Sequence, residues 1–212
     1  MKQPTDSRLA PLPDAPPPDA ARLALLEDYL ALLLRWNSRI NLVADAAPEV
    51  IRQRHIADSL QLASLLPAGD GPLADLGAGA GLPGLVLAAA TGREMHLVES
   101  DRRKAAFLTE AAARLGLKRV TIHPLRIEDA TLPPLAAVTA RALAPLDRLL
   151  AHAARLLAPE GVAIFPKGRT AEAEMAAARP HWHCHAERFA SRTDPEATIF
   201  RLSDIRRASP EA

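Results

Sequence analysis

Apolar positions follow two different spacings along this chain, and each spacing predicts a different kind of structure. Between residues 19 and 36, leucines recur every three or four positions, at Leu23, Leu26, Leu30 and Leu33. That spacing predicts an amphipathic helix with Asp19 as its N-cap. A second helical stretch is predicted from Glu49 to Leu66, directly after Pro48.

From Pro72 onward, short apolar runs alternate with longer segments of helical periodicity. The runs predicted as strands cover residues 72–75, 95–98, 120–123, 136–140, 161–165, 181–189 and 198–202. This alternation predicts an α/β fold of the Rossmann type, with a mostly parallel, seven-stranded sheet. The helices of residues 19–68 form an N-terminal extension of the same domain, whose core covers residues 72–205.

The two ends of the chain lack these patterns. Residues 1–18 contain six prolines, which remove hydrogen-bond donors and restrict the backbone, so we predict a mobile tail. Residues 206–212 are polar, and we expect them to be frayed. The domain is therefore predicted to span residues 19–205.

The composition excludes some classes of protein but does not identify the class to which this chain belongs. Apolar residues make up 49% of 212 residues, which is enough for a sizeable core, and the net charge is only +1. That charge is too small to indicate nucleic-acid binding, so any such role depends on local patches. Cys184 is the only cysteine, which excludes an internal disulfide and fits a reducing compartment. Without an apolar signal core or a membrane-spanning run, we expect a cytoplasmic protein.

The most informative stretch is the glycine-rich turn of residues 75–84, which reads Asp-Leu-Gly-Ala-Gly-Ala-Gly-Leu-Pro-Gly and joins the first predicted strand to a helix. Glycine permits a positive φ and a close approach by a ligand, and a helix start offers unpaired N–H groups. The turn therefore predicts a nucleotide-type cofactor site, the alternative being an ordinary strand–helix connection.

The glycines alone leave the cofactor open. Gly79-x-Gly81-x-x-Gly84 matches the dinucleotide fingerprint, but a lone match of that kind is weak. Asp75 would repel a pyrophosphate and could instead receive the ammonium of S-adenosylmethionine. Glu99, at the end of the next predicted strand, could bind a ribose diol of either cofactor.

The predicted strand ends carry the remaining candidate chemistry. In open α/β sheets the site lies beyond the carboxyl ends of the strands, which here place Arg126 to Asp129, Arg141 and Lys167 to Arg169 at one edge. Tyr29 is the only tyrosine, so the Tyr-x-x-x-Lys pair of many nicotinamide enzymes is missing. An NAD-dependent oxidoreductase and a non-catalytic nucleotide- or RNA-binding protein remain as alternatives.

A run of histidines near the C-terminus raises the question of a metal site. His181, His183 and His185 alternate along a predicted strand, with Cys184 between the last two. Four tetrahedral ligands do not converge from one straight strand. We therefore expect surface histidines on an outer strand, and no metal.

Taken together, these blocks resemble the small-subunit ribosomal RNA methyltransferase G family, also called glucose-inhibited division protein B. The similarity runs from about Leu26 to Leu202. It rests on Trp36-Asn37, Asn41-Leu42, Arg54-His55-x-x-Asp58-Ser59-Leu60, the turn of residues 75–84, Glu99-Ser100 with Lys104 and Phe107-Leu108, Arg141-Ala142 and Lys167-Gly168. Two departures are Phe165-Pro166, where the family more often has aliphatic residues, and the proline-rich leader.

The resemblance implies a class I enzyme that uses S-adenosylmethionine to methylate N7 of a guanine in the decoding region of 16S rRNA, and we expect it to act as a monomer. By residue matching, the implied cofactor contacts are Gly77, Leu82, Glu99, Ile127, Glu128 and Arg141, to which the turn itself adds Asp75 and Gly79.

The residues fit this reaction. Guanine N7 carries a free lone pair and needs no base, whereas enzymes that attack exocyclic amines usually have an Asn/Asp-Pro-Pro-Tyr/Phe loop after the fourth strand. Here that place reads Ala140-Arg141-Ala142-Leu143. Arg141 is a permanent cation that could bridge cofactor and substrate or donate to guanine O6, and we assign it the catalytic role.

Contact with 16S rRNA or the small ribosomal subunit requires basic side chains on a shared face. The candidates are Arg52, Arg54, His55, Arg102, Arg103, Lys104, Lys167 and Arg169. A solvated charged surface is the alternative for each, and for Arg54-His55-x-x-Asp58 it is a local ion pair on a helix face. Because aromatic residues are scarce, we expect the target base to be flipped into a small pocket rather than stacked on a platform.

Overall fold

The computed structural model describes residues 9–208, in which one seven-stranded sheet carries helices on both faces. The strands are β1 (Leu73–Leu76), β2 (Met95–Val98), β3 (Val120–His123), β4 (Leu135–Thr139), β5 (Leu157–Lys167), β6 (Trp182–Ala190) and β7 (Thr198–Arg207). The helices are α1 (Ala20–Asn37), α2 (Pro48–Ile51), α3 (Asp58–Leu60), α4 (Gly84–Thr91), α5 (Arg102–Arg114), α6 (Leu146–Leu156) and α7 (Ala171–Ala178).

The predicted second helix is a continuous but irregular helical stretch. A π-helical turn, Arg52–Ala57, connects α2 to α3, and a 3₁₀ turn, Gln61–Leu65, follows α3. Such π turns occur often at functional sites. We call residues 48–65 the N-terminal helical stretch.

The strands lie in the order β3-β2-β1-β4-β5-β7-β6, which confirms the predicted α/β architecture. Strands β1 to β5 are parallel, whereas β7 is antiparallel to both β5 and β6. The chain order reverses between β1 and β4, and a ligand crevice lies beyond the carboxyl ends of strands at such a point. The glycine-rich turn after β1 and Arg141 after β4 therefore meet at the same edge of the sheet.

Two apolar clusters fill the two faces of the sheet. Because side chains alternate along a strand, Leu73 faces the cluster that contains α1, α4 and α5, and Ala74 faces the cluster that contains α6 and α7. The N-terminal extension thus packs against the domain core. Within the described residues, no helix is both long and apolar enough to cross a membrane.

Tyr29 connects α1 to the glycine-rich turn. Its hydroxyl donates a hydrogen bond to the carbonyl oxygen of Ala80 at 2.6 Å, and the ring packs 6.5 Å from that of Phe107. Burial raises the pKa of Tyr29, so the hydroxyl remains a donor. The position of the turn consequently depends on the N-terminal extension as well as on the strands.

The prediction of a mobile tail is wrong for residues 10–14. The N–H of Ala10 donates to the Arg188 carbonyl at 2.9 Å, and the Ala10 carbonyl accepts from the N–H of Ala190 at 3.0 Å. Leu12 is buried. The physical reason is that β6 is an edge strand with unpaired main-chain groups, and Ala10 retains the donor that prolines lack. Residues 1–8 lie outside the described part of the chain.

The prediction of a frayed end is also wrong for Arg206 and Arg207. Both belong to β7, where Arg207 pairs with Trp182 and its guanidinium lies 4.2 Å from the centre of that ring. Pairing along β6 and this cation–π contact hold a segment whose polar sequence carries no strand pattern. Residues 209–212 lie outside the described part of the chain.

Tyr29→Phe is expected to lower the free energy of unfolding by about 1–2 kcal/mol, because the buried Ala80 carbonyl loses its partner. Urea unfolding followed by circular dichroism measures the change. Asp28→Asn, on the exposed side of the same helix, is the matched control. An unchanged unfolding midpoint in Tyr29→Phe would contradict this account.

Candidate active site

The glycine-rich turn has the backbone that the sequence predicts. Gly77, Gly79 and Gly81 have φ values of +67°, +54° and +81°, which residues with a side chain rarely adopt. A Cβ added at Gly77 would lie 2.5 Å from Cδ1 of Leu143, whereas one at Gly79 would meet nothing closer than 3.7 Å. Gly77 therefore lets the segment after β4 close over the turn, and the space beside Gly79 stays open for a ligand.

Glu99 follows β2 and braces the turn. Its Oε2 accepts from the N–H of Gly79 and its Oε1 from the N–H of Asp101, both at 2.8 Å. Each carboxylate oxygen can accept a second hydrogen bond. Because Glu99 borders the open space at Gly79, its geometry fits binding of ribose hydroxyls while it also holds two loops together.

Asp75 occupies a different place from the one predicted. It is 1% exposed; its Oδ2 accepts from the N–H of Gly84 at 2.9 Å, and its Oδ1 accepts from the Thr139 hydroxyl at 3.1 Å. Burial raises its pKa to about 7, against the opposing effect of those hydrogen bonds. The expectation that Asp75 receives a cationic amino group directly is therefore corrected, since its carboxylate fixes the start of α4 instead.

Arg141 stands at the carboxyl end of β4 and contacts the N-terminal helical stretch. Its Nη1 donates to Nδ1 of His55 at 3.1 Å and lies 3.5 Å from Oδ2 of Asp58. Burial, and then the charge of Arg141, lower the pKa of His55. Accepting from an arginine assigns His55 as a neutral ring with its proton on Nε2. His55, predicted as an RNA contact, is thus a partner of Arg141.

Asp58 is a site residue that the sequence interpretation treated only as one half of a local ion pair. Its Oδ1 accepts from the hydroxyl of Thr193 and from Nε2 of Gln61, both at 2.8 Å. Gln61 lies three residues away on the same helical stretch, a spacing visible in the sequence. Thr193 lies in the turn between β6 and β7, and no sequence signal connects it to Asp58.

Lys167 is not available for RNA binding, which corrects that prediction. Its side chain is 9% exposed, and its Nζ pairs with Oε2 of Glu174 at 2.8 Å and donates to the Ala144 carbonyl at 2.7 Å. Glu174 also accepts from the N–H of Leu146. The ion pair between Lys167 and Glu174 therefore holds the segment between β4 and α6, and a surface role was inferred because burial of a lysine has no sequence signature.

The other predicted RNA contacts differ in their surroundings. Arg52 binds Glu27 with two hydrogen bonds, of 3.0 and 2.8 Å, which leaves it less available to phosphate. Arg54, Arg102 and Arg103 are exposed, and Lys104 is partly buried. Arg169 is 79% exposed and lies 3.8 Å from Glu196.

Three further predicted cofactor contacts lie on two segments, the turn after β3 and the glycine-rich turn itself. Ile127 and Glu128 form a 3₁₀ turn after β3, held by Arg155, which donates to the Ile127 and Ala130 carbonyls. Because β3 pairs with β2 in parallel, this turn and Glu99 follow neighbouring strands at the same edge of the sheet. Leu82, which belongs to the glycine-rich turn, is buried.

His183 and His185 lie on the outer strand β6, as expected, with an irregular register between them, whereas His181 precedes that strand. Among residues 9–208, no group of three histidine, cysteine or acidic side chains is close enough to hold a metal ion.

A seven-stranded sheet of this order, with β7 antiparallel to its neighbours, is the fold of class I S-adenosylmethionine-dependent methyltransferases. The O-methyltransferase of Bacillus cereus, solved with SAH, has the same fold: the TM-score is 0.56 at 18% identity, covering 84% of this chain and 91% of that one.

The sequence comparisons then identify the family. The model of the rRNA small subunit methyltransferase G family matches residues 22–195. The chain is 55% identical over 179 residues to the ribosomal RNA small subunit methyltransferase G of Granulibacter bethesdensis, covering 84% of each chain. It is 56% identical over 187 residues to that of Acidiphilium cryptum, covering 87% of this chain and 86% of the relative. The chain belongs to this family, which confirms the resemblance and removes the oxidoreductase alternative.

Asp75→Asn is expected to reduce the pH dependence of stability. Because the folded pKa of Asp75 is raised from 3.8 to about 7, the folded state keeps a proton that the unfolded chain releases. This group's contribution therefore falls as pH rises from about 4 to 7, by at most about 1.4 kcal/mol per pH unit.

Urea unfolding of the parent and of Asp75→Asn across that pH range tests this, with Asp28→Asn as an exposed control. The parent should lose stability relative to Asp75→Asn as pH rises. If the stability difference between the two proteins stays constant across this pH range, or if the parent gains stability relative to Asp75→Asn as pH rises, the raised pKa is contradicted.

Proposed function

We propose that this protein methylates N7 of a guanine in the 16S rRNA of the small ribosomal subunit. Its family, and relatives that are themselves rRNA small subunit methyltransferases, support an rRNA substrate. S-adenosylmethionine supplies an electrophilic methyl group when bound. With that substrate, we further propose that the protein works in the cytoplasm, as a monomer and without a metal.

One observation carries the choice of a ring nitrogen as the target. The segment after β4 reads Arg141-Ala142-Leu143-Ala144-Pro145, and none of these side chains accepts a proton at neutral pH. His55 lies nearby, but its Nδ1 lone pair is already used by Arg141. Guanine N7 needs no proton removed before attack, so this site suits it better than an exocyclic amine.

Arg141 is the residue we assign to the substrate. A guanidinium has five N–H donors in one plane, and His55 and Asp58 contact only its Nη1. The remaining donors can bind guanine O6 or bridge substrate and cofactor, with a charge that does not titrate. Arg141 would thereby orient the base and stabilise its electron distribution during attack.

The cofactor is assigned to the crevice between the turns after β1, β2 and β3. Gly77 and Gly79 would allow its close approach, Glu99 would accept from ribose hydroxyls, and Ile127 and Glu128 would border the adenine. The open space at Gly79 and the unused acceptor capacity of Glu99 support this assignment.

For RNA, we propose that exposed basic residues at the carboxyl edge of the sheet bind phosphates. Arg102 and Arg103 begin α5 directly beyond β2, and Arg54 and Arg169 are exposed on neighbouring segments. Arg52 contributes less because Glu27 holds it, and Lys104 is the most buried of the group.

The function is tested by incubating the purified protein with S-adenosylmethionine and with either naked 16S rRNA or small subunits from cells that lack the gene. We expect one N7-methylguanosine, mapped by mass spectrometry of nuclease fragments. Methylation of an exocyclic amine or a ribose hydroxyl would overturn the ring-nitrogen assignment, and no transfer to either substrate would overturn the proposed substrate.

Arg141→Lys is expected to keep the fold and the charge but to lower the rate of methyl transfer by about 100-fold, because a single ammonium cannot reproduce the planar donors. Single-turnover kinetics at saturating cofactor measures the loss. Arg114→Lys, at the far end of α5, is the matched control. Full activity in Arg141→Lys would remove the residue from the chemistry.

Arg102→Ala combined with Arg103→Ala is expected to weaken RNA binding while cofactor affinity stays unchanged. The slope of log affinity against log salt should fall by about 1.5 if both residues contact phosphate. Arg114→Ala with Lys118→Ala removes the same charge at and just beyond the opposite end of α5 and serves as control. Equal salt slopes for the two double variants would exclude Arg102 and Arg103 from the interface.

A further inference from the structure

Little regular structure fixes the direction of Arg141. It follows the end of β4, and the next residue, Ala142, has a φ of +51°, a conformation that costs energy for alanine. Leu143 is partly exposed. The main chain here does not define where a long, flexible side chain points, so its contacts must do so.

Those contacts come from the N-terminal helical stretch. His55 Nδ1 accepts from Nη1 of Arg141 at 3.1 Å, and Oδ2 of Asp58 lies 3.5 Å from the same nitrogen. The side chains of Arg141 and Asp58 are only 22% and 16% exposed. Two acceptors on one partly buried guanidinium nitrogen restrict both its position and the plane of the group.

Asp58 is itself held from two directions. Gln61 and Thr193 each donate to its Oδ1 at 2.8 Å, and the Oε1 of Gln61 accepts from the N–H of Arg192 at 2.8 Å. Gln61 is buried, so its polar atoms would be costly without these partners. The turn between β6 and β7 therefore fixes Asp58, and Asp58 in turn has few alternative orientations.

We infer that His55 and Asp58 are positioning residues that orient Arg141, and that Gln61 and Thr193 hold Asp58 in place. This inference rests on the role proposed above for Arg141. A neutral histidine accepts from the guanidinium without adding a negative charge, so His55 orients the group while its remaining donors stay directed at the crevice. The competing assignment is that His55 binds rRNA phosphate.

The experiment compares His55→Ala, His55→Asn, Asp58→Ala and Asp58→Asn in single-turnover methyl transfer. His55→Ala and Asp58→Ala should lower the rate constant by about tenfold or more, as loss of supporting contacts commonly does. Cofactor affinity and KM for RNA should change by no more than about twofold. His55→Asn places an amide oxygen near the position of Nδ1 and should recover part of the rate.

Gln53→Ala is the matched control, because Gln53 lies on the same π-helical turn, is exposed, and among the described residues its side chain hydrogen-bonds only to Glu49. It should leave every parameter unchanged. A rate loss in Gln53→Ala equal to that of His55→Ala would indicate disruption of the whole turn and would overturn the inference.

A double-mutant cycle separates the inference from the role of Arg141. In an Arg141→Ala background, His55→Ala should cause no further loss of rate, because the group that it orients is gone. If Arg141→Ala alone keeps full activity, the role proposed for Arg141 fails. If Arg141→Ala is impaired while His55→Ala changes only KM for RNA, the positioning role fails and the phosphate-binding assignment holds.

A test that does not depend on activity measures the pKa of His55 by NMR titration of its ring resonance. The resonance is assigned by its absence from the spectrum of His55→Asn. Arg54, Asp58 and Arg141 are the charged groups that affect it. Because the Arg141 charge helps to hold the pKa of His55 below its usual value, Arg141→Ala should raise that pKa, whereas Gln53→Ala should not. An unchanged pKa in Arg141→Ala would show that the two side chains are not in contact.

Discussion

The contact between a buried carboxylate and the first turn of a helix determines how the cofactor crevice is built. Asp75 accepts from the N–H of Gly84, and a Cβ at Gly84 would lie 2.7 Å from that of Asp75. The helix can begin against the strand only because residue 84 has no side chain. The turn between them must then reverse within a few residues, which requires the positive φ angles of its glycines.

The sequence predicts those parts of the molecule that local pattern determines. β2 and β3 have their predicted bounds because each is a run of only four residues, too short for a helix, between polar or proline residues. The longer strands β5 and β7 were predicted short, since their ends carry residues such as Glu160 and Arg206 that match no strand pattern. Register with a neighbouring strand, which sequence does not display, extends them.

The sequence predicts which residue types lie at the site and at which edge of the sheet, but it does not predict which side chains they contact. Glu99 and Arg141 stand at strand ends, where topology alone brings them together. Asp75, His55 and Lys167 were assigned to ligands or RNA because each charge was considered without its distant partner. Thr139, Arg141 and Glu174 supply those partners, and each lies between 7 and 86 residues away along the chain. For all three residues, burial determined that the side chain contacts another part of the protein rather than a ligand or RNA.

The segment around Ala10 has a consequence for the behaviour of separate copies in solution. In the described chain β6 has β7 on one side, so its other side would offer main-chain donors and acceptors to any extended peptide. Ala10 occupies part of that edge, and Arg192 donates to the Leu12 and Pro13 carbonyls beside it. Pro11, the residue after Ala10, has no N–H with which to continue the pairing, so intermolecular association through this part of the edge is discouraged.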